Sequence, residues 1–171
     1  MILKYILFVF LLVAFQLVDA QSSDVKKNSV NFELAGSGLL YSVNYDRLLV
    51  IDNKMRFSST IGAWYIPLIE QVSEFEYMIG TTIGVNTLFG TQTHFAELGL
   101  NISYMNMKDT ESSFYHTLYL PIRLGYRYQK DDGGLFFRAS FLPIVAIIQD
   151  VDAEFLYPIT PHFAIGVGYG F

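Results

Sequence analysis

The sequence predicts an all-β protein: an eight-stranded antiparallel up-and-down transmembrane β-barrel, preceded by a cleavable signal peptide. Three observations lead there. First, the final residues alternate strictly, Phe163, Ile165, Val167, Tyr169 and Phe171 against His162, Ala164, Gly166, Gly168 and Gly170. One face of the last strand is therefore large and apolar and the other small, as suits a strand between lipid and a narrow lumen. Second, the same two-residue period recurs in seven earlier segments. Third, the chain is 52% hydrophobic and 16% aromatic, yet beyond Ala20 no apolar run approaches the roughly 20 residues of a spanning helix. A closed barrel reconciles these facts, because it spreads lipid-facing residues over alternate positions and leaves no backbone edge unpaired in hydrocarbon.

Residues 1–20 have the parts of a secretory signal. Lys4 supplies a basic start, Tyr5 to Phe15 an apolar run, and Val18-Asp19-Ala20 a small-residue cleavage site before polar Gln21. Gln16 and Asp19 cut the run short of a membrane anchor. The expected mature chain has a short periplasmic lead-in, 21–28, and one barrel domain, 29–171. With no cysteine, disulfides cannot hold an exported fold, so hydrogen bonding and burial must.

The strands follow in order. Val30, Phe32 and Leu34 face out against Asn31, Glu33 and Ala35, and Gly36-Ser37-Gly38 reverses the chain. Tyr41, Val43 and Tyr45 then oppose Ser42, Asn44 and Asp46, ending at Asp52-Asn53-Lys54. Phe57, Ile61, Ala63 and Tyr65 oppose Arg56, Ser58, Thr60 and Gly62 in the third segment. The fourth sets Tyr77, Ile79, Thr81, Ile83 and Val85 against Met78, Gly80, Thr82, Gly84 and Asn86, and Gly90-Thr91-Gln92 closes it. The fifth shows Ala96, Leu98, Leu100, Ile102 and Tyr104 outward against Glu97, Gly99, Asn101 and Ser103. The sixth alternates from Thr117 to Tyr128, with Tyr119, Pro121, Arg123 and Arg127 inward. After the turn Lys130 to Gly134, the seventh places Phe137, Ala139 and Phe141 outward and Arg138 and Ser140 inward. The eighth is the terminal strand.

Even parity puts both chain ends on one side, so long outer loops are expected near Ile66–Phe75, Met105–Ser113 and Ile144–Thr160, with the Gly36–Gly38 reversal an exception. Outward aromatics fall into two girdles. Tyr45, Phe57, Phe95, Tyr126, Tyr128, Phe137, Tyr169 and Phe171 lie near the inner ends of strands, and Tyr41, Tyr65, Tyr77 and Tyr104 near the outer ends.

The inward face carries three acids, Glu33, Asp46 and Glu97, and four arginines, Arg56, Arg123, Arg127 and Arg138. An eight-stranded interior is just wide enough for side chains, and charges there must pair. The expectation is a salt-bridged plug, with Met78, Tyr119 and Leu40 the only notable apolar lumen candidates. Acids in the outer loops, among them Glu70, Glu74, Glu76, Asp109, Glu111, Asp150, Asp152 and Glu154, read as solvated surface.

The stretch from Asn31 to Arg47, with Glu33-Leu34-Ala35-Gly36 at a strand end and Tyr41-Ser42-Val43-Asn44-Tyr45-Asp46-Arg47 returning, resembles the opening hairpin of a family of small eight-stranded outer-membrane barrels of Bacteroidota-type bacteria, of OmpA/OmpX-like architecture. Ala35 stands where that family has a glycine, and Asp46 where it has glutamate. The terminal strand, Phe163, Ile165, Val167, Tyr169 and Phe171, resembles the C-terminal signal by which such barrels are recognised for assembly. The resemblance implies a location in the bacterial outer membrane, with outer-membrane lipid, lipopolysaccharide and the barrel-assembly machinery as partners. It implies no reaction.

The residues point to no catalytic or metal site and no cofactor. His94, His116 and His162 are followed two positions later by Ala96, Leu118 and Ala164, so the His-x-Ser pair of a small barrel lipid A deacylase is lacking, and their spacing suits no metal. A net charge of −5 offers nucleic acid no basic stripe. The expected function is a non-enzymatic, monomeric outer-membrane barrel with a plugged polar lumen and a structural or surface-binding role. A narrow channel or transporter for small solutes, and a soluble lipocalin-like carrier, are the alternatives.

Overall fold

The computed structural model describes residues 25–50, 54–68, 75–150 and 159–171. The predicted signal peptide, the first inner turn at Asp52-Asn53, and parts of the second and fourth outer loops, with Glu70, Glu74, Asp152 and Glu154, lie outside them. Eight strands run in chain order: β1 Asn28–Leu34, β2 Tyr41–Val50, β3 Met55–Pro67, β4 Phe75–Thr91, β5 His94–Asp109, β6 Phe114–Tyr128, β7 Gly134–Gln149 and β8 Ile159–Gly170. Each pairs antiparallel with its sequence neighbour, and β1 pairs with β8, so the sheet closes into a barrel. At the seam Phe171 N–H donates to Asn28 O at 2.8 Å.

Burial alternates residue by residue along β1, β3 and β5. The wall is apolar on the outside, with Val30, Phe32, Ile61, Ile83, Leu100, Phe137, Phe163 and Ile165 all exposed, and polar side chains lie within. That is the reverse of a soluble carrier, and it is what a barrel bathed in hydrocarbon requires.

The rim where β1 begins and β8 ends is called here the terminal rim, its opposite the far rim. Strand lengths differ greatly, from 7 residues in β1 to 17 in β4, so the far rim is low over β1–β2 and tall over β4–β7. The residues Met105–Asp109 and Ile144–Gln149, expected as loop, continue as strand. The cause is continued pairing, Met105↔Thr117 to Lys108↔Phe114 and Val145↔Leu120, which satisfies backbone that a loop would leave to water.

Two positions are corrected. Phe95 is 1% exposed and points into the lumen, because it shares the parity of Glu97; it does not belong to a girdle. Ala35 leaves the strand at φ 52° and is exposed, because the reversal begins there. That reversal, Ala35 to Leu40, is closed by Ala35 N–H to Leu40 O at 2.8 Å and dips into the barrel mouth, burying Ser37 and Leu39.

Two glycines of β8 make a test of lumen crowding. A Cβ on Gly168 meets the Phe136 ring and Asn31 Cβ, whereas one on Gly166 meets nothing nearer than Phe32 O at 3.4 Å. Gly168→Ala is expected to cost about 1–3 kcal/mol and lower the refolded, heat-modifiable fraction on a gel, while Gly166→Ala refolds as the parent does.

Candidate functional site

The lumen is filled in three layers, and the parity of each strand decides which residues enter it. Nearest the terminal rim, Leu48 of β2, Leu88 of β4 and Phe95 of β5 form a small apolar cluster. The Arg56 guanidinium lies 4.7 Å from the Phe95 ring centroid, a cation–π contact. Arg56 also forks onto Asp131 at 2.6 and 3.0 Å. Arg56 thus closes the terminal rim and is not among the residues that meet in the middle.

The middle layer is ionic. Arg123 of β6 reaches across to Glu33 of β1 in a bidentate pair, 2.5 and 3.0 Å, and donates to Ser140 Oγ at 3.1 Å. Arg127 and Arg138 are direct register partners on β6 and β7, so two like charges stand side by side. Asp46 of β2 lies between them, accepting from Arg127 at 3.1 Å and from Arg138 at 2.6 Å. Glu97 of β5 adds ion-pair contacts to Arg138 at 2.9 Å and Arg127 at 3.8 Å. Thr60 donates to Asp46 Oδ1, and Asn31 joins the two arginines on Oδ2. Phe136 lies under Arg127, 4.5 Å from its guanidinium. Three carboxylates therefore face three guanidiniums, all nearly fully buried, and the layer is neutral in sum. Planar guanidiniums suit this task because they bind carboxylates in parallel pairs.

The third layer, toward the far rim, is apolar. Leu39, Trp64, Ile66, Met78, Met105, Met107, Tyr119 and Ile144 pack together, with Leu68, Phe75 and Tyr115 against them. Tyr119 O–H donates to Ser37 O at 2.8 Å and pins the tucked reversal over this layer. The layer corrects the expectation that only Met78, Tyr119 and Leu40 would be apolar lumen residues. Leu40 is 60% exposed, because the reversal turns it outward and Leu39 inward. Ile66, Met105 and Met107 went unseen because their strands were expected to end sooner, and Trp64, inside the expected third strand, was not read as inward although it is. Their parity with Gly62 and Ser103 was the available signal.

Outside the lumen, acids near the far rim hold local structure. Glu76 accepts from Lys108 at 2.5 Å, Asp109 from Ser113 N–H at 2.7 Å and Asp150 from His116 N–H at 3.2 Å. His116 Nδ1 lies 2.6 Å from Tyr104 Oη, and His94 Nδ1 2.6 Å from Tyr126 Oη. These two tyrosine–histidine pairs sit on the outer wall near opposite rims. Among the described residues no group of three acidic, histidine or cysteine side chains could hold a metal ion.

An apolar outer wall around a lumen filled by two apolar layers and one ionic layer, closed at eight strands, is the architecture of a transmembrane β-barrel. Among solved structures the chain is similar to the N-terminal β-barrel domain of Pseudomonas aeruginosa OprF, with a TM-score of 0.55 at 12% identity, covering 88% of this chain and 100% of that one. Ail, the attachment invasion locus protein of Yersinia pestis, is also similar, with a TM-score of 0.48 at 12% identity over 85% of this chain and 94% of that one. No family model matches the chain, and no curated protein does.

The Glu33–Arg123 pair is testable by its asymmetry. Glu33→Ala strands a buried guanidinium and is expected to cost about 3–5 kcal/mol, whereas Glu33→Leu with Arg123→Met should restore most of it. Urea unfolding of the refolded protein from lipid vesicles measures both.

Proposed function

We propose that this protein is a non-enzymatic, monomeric integral barrel of a bacterial outer membrane, with the terminal rim in the periplasm and a structural or surface-binding role. The observation that carries the reading is the layered lumen. A neutral ionic layer lies between Leu48, Leu88 and Phe95 on one side and the Leu39–Trp64–Met105 cluster on the other, so among the described residues the lumen is filled by packed side chains. The likeness of fold to the OprF barrel domain supports the same placement. Membership in the Bacteroidota-type family rests on the Asn31–Arg47 hairpin, and capture by the barrel-assembly machinery on the terminal strand ending in Phe171.

Three measurements test this. Cell fractionation should find the protein in the outer membrane with a mobility change on boiling, and planar bilayers should show no steady conductance; lasting openings of nanosiemens size would overturn the plug. Deleting Phe171 should lower the outer-membrane level in cells while detergent refolding is retained. Equal levels in cells would remove the assembly role.

A further inference from the structure

The outer wall is not uniformly convex. Across β1–β4 it carries an open depression of about 300 Å³ lined by Val30, Val43, Tyr45, Ile61, Ala63 and Thr81. Its floor is low because Ala63 pairs with both Val43 and Thr81, so two small side chains sit where neighbours carry isoleucine or tyrosine. Small ligand sites begin near this size. The depression ends toward the terminal rim at Tyr45, whose hydroxyl donates to Asn28 Oδ1 at 2.7 Å. Two residues further along the same outward face stands Arg47, in register with Asn28 and Ser59. Arg47 already has a partner, but a guanidinium carries five N–H donors and can hold a phosphate oxygen as well.

The surrounding rim is basic. Among the described residues of the terminal rim, Lys26, Lys27, Lys54 and Lys130 outnumber the two acids, Asp131 and Asp132, and Asp131 is taken by Arg56.

We propose that this depression is a phospholipid site: one acyl chain of an anionic phospholipid of the periplasmic leaflet lies in it, with its phosphate on Arg47. This rests on the outer-membrane placement proposed above. The alternative cover, a second copy of the chain, is opposed by charge. A two-fold axis along the membrane normal sets the same patch against itself, bringing the two basic rims and both Arg47 side chains together. A phosphate there is attracted instead, by about 1 kcal/mol per cation near the surface.

The test uses the full chain extracted from outer membranes in mild detergent, delipidated, mixed with phosphatidylglycerol or phosphatidylethanolamine micelles, and weighed intact by mass spectrometry. The parent should retain one phosphatidylglycerol. Arg47→Gln should lower that occupancy about fivefold, and Ala63→Phe, which fills the depression from the lipid side, should abolish it. Both variants should keep the parent's heat-modifiability. Equal retention of phosphatidylethanolamine, unchanged occupancy in both variants, or a dimer mass would overturn the site while leaving the barrel intact. A parent without outer-membrane location or mobility shift would overturn both.

Discussion

The ladder between β1 and β8 is the contact on which the rest of the molecule depends. It is also the shortest, six register pairs from Ser29↔Gly170 to Leu34↔Ile165, against sixteen between β4 and β5. Were it open, two strand edges would face hydrocarbon, each unpaired group costing several kcal/mol. Its register also decides the interior. A slip of one residue turns every side chain to the other face, so Glu33 would meet lipid and Phe32 the lumen. The Glu33–Arg123 fork opposes that slip. It ties β1 to β6 on the far wall, a restraint that does not pass through the seam.

Narrowness explains why the ionic layer is arranged as it is. Arg127 and Arg138 are forced into register by the β6–β7 ladder, so their repulsion must be met from other strands. Asp46 and Glu97 come from β2 and β5, and Phe136 offers a ring face to Arg127. Burial between the apolar layers above and below strengthens each ion pair and raises the penalty for breaking one. The interior is therefore intolerant of single changes and comparatively indifferent to matched ones.

Much of this architecture is legible in the sequence, because a two-residue period states which face each residue takes. The inward sides of Glu33, Asp46, Glu97, Arg123, Arg127 and Arg138 follow from parity alone. Pairing across the lumen does not. Nothing in the spacing of Glu33 and Arg123, ninety positions apart, says that β1 faces β6, since that depends on how eight strands stagger when they close. Arg56 shows the same limit: it is inward by parity, but its height in the lumen gives it to Asp131 in a turn. The apolar third layer was obscured for another reason. Ile66, Met105, Met107 and Ile144 lie where strands were expected to have given way to loops, and Gly36-Ser37-Gly38 reads as an ordinary turn although Leu39, at φ 67°, packs in one cluster with Trp64 and Tyr119.

A lumen filled this way fits the proposed surface role. A passage would require the Ala35–Leu40 reversal to leave Tyr119, the Trp64–Met105 layer to part, and the ionic layer to break its buried ion pairs. Each step exposes apolar area or strands a charge, and the steps must coincide. The outer wall and the rims carry no such constraint. There the exposed side chains are set by what they touch: a continuous apolar belt, tyrosine–histidine pairs near both rims, a depression over Ala63 and Thr81, and a basic border beneath it. Selection acting on surface contacts could change these without disturbing closure. The interior is thus where the sequence specifies the fold, and the wall is where the proposed lipid would be recognised.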